Sequence, residues 1–148
     1  MIYIFYALLL IFDVVSKIWA SGYLAEAGSI EFIKGFLRLT YVENTGVAFG
    51  MFSDMLYVMV PLTIIVAGIC IFVYIKNKGK SKIFDNALLV VITGAIGNII
   101  DKITRGFVVD FLEFEFIDFP VFNLADIYVC VGAALLMIYV LFGEKNEN

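Results

Sequence analysis

Four apolar runs, at about residues 2–20, 55–75, 83–100 and 122–142, constrain this chain more than any other feature. Each is close to the ~20 residues a helix needs to cross a hydrocarbon layer of about 30 Å. Inside that layer every backbone N–H and C=O must be satisfied within the protein, which for single runs of this length means helices. The chain is 63% hydrophobic and 16% charged, with a mean hydropathy of +1.01. A soluble domain carries about 45–50% apolar and about 25% charged residues. The expectation is therefore an all-α membrane protein with four transmembrane helices and a small external β-containing region after the first helix. Residues 1–148 form a single membrane domain, with external regions at about 21–54 and 101–121. Alternation in I-E-F-I-K-G-F-L-R-L, residues 30–39, is the basis for the β-structure.

The first run is read as a retained span and not a cleaved leader. No Lys or Arg precedes it, and Asp13 and Lys17 interrupt it. Orientation follows from the short loop K-N-K-G-K-S-K, residues 76–82, which has four lysines and no acid. Short basic loops stay in the cytoplasm. Residues 21–54 set Lys34 and Arg38 against Glu26, Glu31, Glu43 and Asp54, and residues 101–119 set Lys102 and Arg105 against five acids. Both termini are expected in the cytoplasm and the two larger loops outside.

Absences exclude several chemistries. The chain has no His, which removes Ser-His-Asp and Cys-His catalysis in their usual forms and His-rich zinc sites. Cys70 and Cys130 sit midway in apolar runs, where cysteine behaves as a small hydrophobe. A net charge of −4 without a basic cluster outside one loop gives no reason to invoke nucleic acid. No metal and no cofactor is expected.

Ionisable groups in a hydrocarbon layer are expensive, so each is a candidate functional residue. Asp13 and Lys17 are spaced i,i+4 and stack on one helical face as an ion pair. In the third run, Gly94 and Gly97 permit close approach of another helix. Asn98, Asp101, Lys102 and Arg105 follow on one face at offsets of three, four and seven, if the helix continues that far. Asp110 in F-V-V-D-F and Asp126 in V-F-N-L-A-D lie at the external boundary of the membrane, each flanked by apolar residues. Glu113, Glu115 and Asp118 read as solvated loop acids, and Asp101 admits that reading too, although as a charged neighbour of Asn98 it is also a candidate for the site. Two carboxylates converging in an apolar pocket cannot both ionise cheaply and share a proton. One then serves as general base towards water and the other as general acid, which is aspartic peptidase chemistry. E-N-T-G-V-A-F-G, residues 43–50, adds a glycine-containing loop that suits unusual backbone angles or close approach.

These motifs resemble the bacterial lipoprotein signal peptidase (signal peptidase II) family, over nearly the whole chain and in the same order. The likeness rests on D-x-x-x-K (Asp13, Lys17), N-T-G-V-A-F-G (Asn44, Gly46), G-A-I-G-N-I-I-D-K-I-T-R-G-F-V-V-D-F (residues 94–111) and F-P-V-F-N-L-A-D (residues 119–126). The resemblance implies that Asp110 and Asp126 are the catalytic dyad. It implies substrate-binding or supporting roles for Asp13, Lys17, Asn44, Gly46, Asn98, Asn123 and Ala125. Where the family usually has Asp-Arg this chain has Asp101-Lys102, so Lys102 serves alone or Arg105 takes over.

The function implied is an intramembrane aspartic endopeptidase of the bacterial cytoplasmic (inner) membrane. It would remove signal peptides from diacylglyceryl-modified prolipoproteins, cleaving before the lipidated Cys with its active site near the external face. Its partners would be lipid-modified prolipoproteins and membrane lipids, and it would act as a monomer. The alternative is a small proton- or ion-coupled transporter with Asp and Lys as a relay. The lack of internal repeats and the gathering of polar groups at one face argue against it.

Overall fold

The structure, a computed structural model, describes residues 2–46 and 56–143. Helix α1, Ile2–Trp19, continues through a π-helical turn, Ala20–Leu24, and one further turn, Ala25–Ala27. Strands β1 (Ile30–Ile33) and β2 (Leu37–Asn44) follow, then helices α2 (Leu56–Asn77) and α3 (Lys82–Arg105). Strand β3 (Val108–Phe114) and helix α4 (Leu124–Ile138) complete the order, α4 ending in a π-helical turn, Tyr139–Gly143. The four helices are long and apolar enough to cross a membrane.

Helix α3 is the hub. Its buried face holds Ala87, Leu88, Val91, Ile92, Thr93, Gly94, Ala95, Gly97 and Asp101. The other helices turn large apolar chains outward, among them Ile4, Phe5, Phe12, Ile65, Phe72, Met137 and Leu141. Such an exterior is unfavourable in water and neutral in lipid, so tight packing rather than apolar burial draws the helices together. Glycines supply that packing. A Cβ on Gly94 would meet the Ala125 carbonyl and lie 2.9 Å from Val129 Cγ2, and one on Gly132 would lie 2.8 Å from the Ala87 carbonyl oxygen. Gly97 gives the same closeness against Asp13 and Ala125.

The helix ends are set locally. Ser81 caps α3 by accepting the Phe84 N–H, and Asp85 lies in its first turn. Gly106 stops α3 in the left-handed region at φ 83°, where a side chain would be strained, and turns the chain into β3. The helix thus runs five residues past the expected end of the third span. Asp101, Lys102 and Arg105 belong to it and not to a loop.

The three strands form one antiparallel sheet in the order β1-β2-β3. Ile30 faces Leu39, and Leu39 faces Leu112, so an apolar row crosses the sheet. That row packs on a small core of Ala20, Leu24, Val109 and Phe111, which ties the sheet to the end of α1. The β-region expected after the first helix is therefore completed by a strand from beyond α3. A single bridge, Leu112 with Phe122, brings the chain back beside β3 just before α4 begins.

Candidate active site

Two structural devices set Asp110 and Asp126 within reach of one side chain. The first is the Leu112–Phe122 bridge, which delivers Asn123 alongside β3. The second is the start of α4. Asn123 accepts the Asp126 N–H at 3.0 Å, and Asp126 accepts the Asn123 N–H at 3.1 Å, a reciprocal capping box. The cap fixes the Asp126 carboxylate. The Asn123 amide then donates to Asp110 Oδ1 at 2.6 Å, so both carboxylates bond to the same fully buried asparagine.

Further amides complete the cage. Asn98 donates to Asp126 Oδ1 at 2.8 Å, and its own Oδ1 accepts from Asn123 at 3.2 Å and from the Lys17 ammonium at 2.9 Å. Asn44, the last residue of β2, donates to Asp110 Oδ2 at 2.8 Å. Its own oxygen accepts the N–H of Gly46 at 3.0 Å. The remaining part of that motif, residues 47–50, lies outside the described residues. Asp110 is only 2% exposed. Burial first, and the Asp126 carboxylate second, raise Asp110 to about 7, against the pull of the Asn44 and Asn123 hydrogen bonds and the Lys17 charge.

Asp13 and Lys17 form the expected ion pair at 3.0 Å, and each is 1% exposed. The pair does more than offset its own burial. Asp13 Oδ1 accepts the Ala125 N–H at 2.9 Å, one of the first-turn donors of α4, while Lys17 reaches Asn98. Ala125 is fully buried, with its Cβ facing Gly97, so a larger residue there would meet α3. Removing either member of the pair strands a buried charge, at a cost of about 3–5 kcal/mol.

For Asp101 the structure decides between its two readings. The residue is not a solvated loop acid but sits 5% exposed on α3. Its carboxylate accepts the Val109 N–H at 3.1 Å, pairs with Arg105 at 3.1 Å and lies 3.6 Å from Lys17. Its i,i+4 spacing from Arg105 was a signal available in the sequence. The backbone partner was not, because it depends on the turn at Gly106. Glu115 is likewise engaged, accepting from Arg38 at 2.6 Å and from the Gly35 N–H at 2.9 Å. Glu113 lies 3.8 Å from Arg38, and Asp118 is exposed as expected.

The two cations beyond Asn98 part company. Lys102 is half-buried and reaches from α3 to the Thr63 hydroxyl of α2 at 3.4 Å. Arg105, the last residue of α3 before Gly106, turns back towards the protein. It holds Asp101 and donates to Ser21 at 2.7 Å.

Comparison with known proteins gives a consistent result. The family model described as signal peptidase (SPase) II matches residues 5–142. The lipoprotein signal peptidase of Clostridioides difficile is 42% identical over 152 residues, covering 100% of both chains. That of Clostridium tetani is 39% identical over 142 residues, covering 94% of this chain and 91% of its own. A solved bacterial membrane enzyme superposes with a TM-score of 0.91 at 30% identity, over 99% of this chain and 90% of its own. A second gives 0.86 at 31% identity, over 95% and 92%.

Proposed function

The chain belongs to the signal peptidase II family, and from that premise we propose that Asp110 and Asp126 are the pair with which it hydrolyses prolipoproteins. It is a peptidase that removes signal peptides from these precursors. The observation that carries the assignment of the pair is the shared Asn123, to which both carboxylates are hydrogen-bonded.

The raised Asp110 is the member that carries the shared proton, and Asp126 is the base. Asp126 takes a proton from water as its oxygen attacks the scissile carbonyl carbon. Asp110 gives its proton to the carbonyl oxygen, producing a neutral tetrahedral diol. Collapse of the diol returns a proton to Asp110, and the proton on Asp126 passes to the departing amide nitrogen. Asn98, Asn123 and Asn44 hold both carboxylates throughout, so little reorganisation accompanies the transfer. No covalent intermediate forms.

The substrate is a prolipoprotein whose Cys already carries a diacylglyceryl group, cut just before that Cys. Acyl chains lying along the apolar helix surfaces gain about 0.8 kcal/mol per buried CH₂. The sheet lies on the outer membrane surface and clamps the peptide. Phe32, Ile33, Phe36 and Phe116, all exposed at its tip, are chains that an interfacial position accommodates. The protein acts as a monomer in the bacterial cytoplasmic membrane, with both termini inside and the dyad near the external face.

The test is cleavage of a purified diacylglyceryl-modified prolipoprotein, with the new N-terminus mapped. Product beginning at the lipidated Cys is expected, and none from the unmodified precursor. Undiminished cleavage of the unmodified precursor would remove the lipid requirement. Ion-coupled transport, the alternative, has no observation in its favour.

A further inference from the structure

A second cluster of polar side chains lies at the other end of the bundle. Helix α3 begins at Lys82 and delivers Asn98 and Asp101 to the site near its far end. At 1.5 Å per residue, Lys82 and Arg105 are about 35 Å apart. Beside Lys82, the start of α1 meets the end of α2. Tyr3 and Tyr74 are joined hydroxyl to hydroxyl at 2.9 Å. The Lys78 ammonium stands 5.3 Å from the Tyr3 ring centroid and 5.9 Å from that of Tyr74, within cation–π range of both. The peptidase chemistry uses none of these groups.

The turn that presents Lys78 is built. Asp85 Oδ2 accepts the Gly79 N–H at 2.8 Å, Lys80 donates to Asn77 at 3.1 Å, and Ser81 caps α3. Gly79 takes φ 89°, so the turn requires a glycine there. Lys76, Lys78, Lys80 and Lys82 are all exposed around it, and among the described residues the carboxylate whose charge acts on Lys78, Asp85, is engaged by the turn itself.

We propose that this turn, with Tyr3 and Tyr74, seats the headgroup of an anionic phospholipid. Charge complementarity selects the occupant. A cluster of four lysines at the end of a span attracts anionic headgroups. Tyrosine favours the interfacial level where a phosphate resides. Lys78 differs from its neighbours because two rings fix its ammonium in advance, and of the two linked hydroxyls beside it the one that accepts from the other keeps its own O–H to donate to a phosphate oxygen. The lipid would thereby bridge α1 and α2, which meet here at the end remote from the sheet.

The test reads lipid retained by the full-length protein after release from bilayers of phosphatidylcholine with graded fractions of phosphatidylglycerol, by native mass spectrometry. Thermal stability with each lipid in detergent is the second readout. The proposal expects selective retention of phosphatidylglycerol and a stabilising shift. Lys78→Gln and the double variant Tyr3→Phe/Tyr74→Phe should each lower retention severalfold. Lys82→Gln removes the same charge and should lower it little. Equal losses for Lys78→Gln and Lys82→Gln would reduce the site to diffuse attraction and overturn the proposal. An equal thermal shift with inorganic phosphate in phosphatidylcholine would make it a free-anion site and overturn the lipid. Prolipoprotein cleavage by Lys78→Gln in phosphatidylcholine should match the parent, which separates this result from any failure of the peptidase assignment.

Discussion

The Asp101 carboxylate accepts the backbone N–H of Val109 at 3.1 Å, so the helix that carries Asn98 also holds the strand residue next to Asp110. The two halves of the site are thus locked together across the turn at Gly106. The same carboxylate is held by Arg105 and lies near Lys17, which links it to α1. Asp101→Ala would leave the Val109 N–H, in a fully buried residue, without its acceptor, at about 1–3 kcal/mol. We expect kcat to fall about tenfold or more at matched protein level. Asp101→Asn keeps an acceptor oxygen and should retain more activity, and the pH limb set by Asp110 should shift in both variants. Parental kinetics and an unchanged pH profile in Asp101→Ala would end the positioning role.

Asp110→Asn and Asp126→Asn should each abolish cleavage while the protein still inserts and accumulates. Glu113→Gln and Asp118→Asn should be near neutral. Glu115→Gln is expected to weaken the Arg38 and Gly35 contacts at the sheet tip and cost up to about 1 kcal/mol of stability without loss of turnover. Measured turnover in either dyad variant, above a mock-purified control, would defeat the assignment.

Much of the site was legible because its motifs are local. The i,i+4 pair of Asp13 and Lys17 and the glycines before Asn98 each follow from spacing along one helix, whereas Asn123 entered through the family resemblance and its capping of Asp126 came with the structure. The spans were legible from their apolar length alone. What spacing could not supply is tertiary. Strand β3 reads V-V-D-F-L-E-F, whose first four residues are all buried, so it shows no clean alternation to mark a strand. Asp101 admitted a loop reading because the third predominantly apolar run ends at Ile100, whereas the helix itself persists until Gly106. Helix ends follow capping groups, and apolar runs mark only the part that contacts hydrocarbon.

The pH dependence follows from Asp110, raised to about 7. A raised carboxyl keeps its proton through the acid range and loses it as pH passes its shifted value. The mechanism requires one proton on the pair, so the rate should hold towards neutrality and fall above about pH 7, against about 3.9 for an exposed Asp. At low pH the rate should fall again as the pair takes up a second proton, giving a bell whose limbs belong to the pair. A rate rising steadily into alkaline pH would point to a single base.

Topology can be checked independently of catalysis. Reporter fusions at Gly79 and Asn148 should register as cytoplasmic, and fusions at Gly35 and Glu115 as external. The expectation rests on the four lysines between Lys76 and Lys82. An external signal at Gly79 would invert the orientation and move the dyad to the wrong side for a secreted precursor.

The last prediction separates Lys102 from Arg105. Both lie on the Asn98 face of α3, and the family's usual Asp-Arg appears here as Asp101-Lys102. Arg105 has a structural occupation, since it pairs with Asp101 and donates to Ser21 in the π-helical turn that continues α1. Lys102 reaches instead across to Thr63 of α2 and lies half-buried, close enough for the charges of Asp126 and Asp110 to act on it. We propose that this ammonium meets a substrate carbonyl or lipid ester oxygen, without the planar fork of Arg. Lys102→Ala should therefore lower activity with little loss of protein. Arg105→Ala should lower thermal stability by about 1–3 kcal/mol, with a smaller effect on turnover per folded molecule. Lys102→Arg should be tolerated, because it restores a cation of similar reach. Cleavage rate and melting temperature, measured on all three variants at matched protein level, decide the matter. If Arg105→Ala loses turnover at parental stability while Lys102→Ala is silent in both measurements, the cation that serves the substrate stands one turn further along α3.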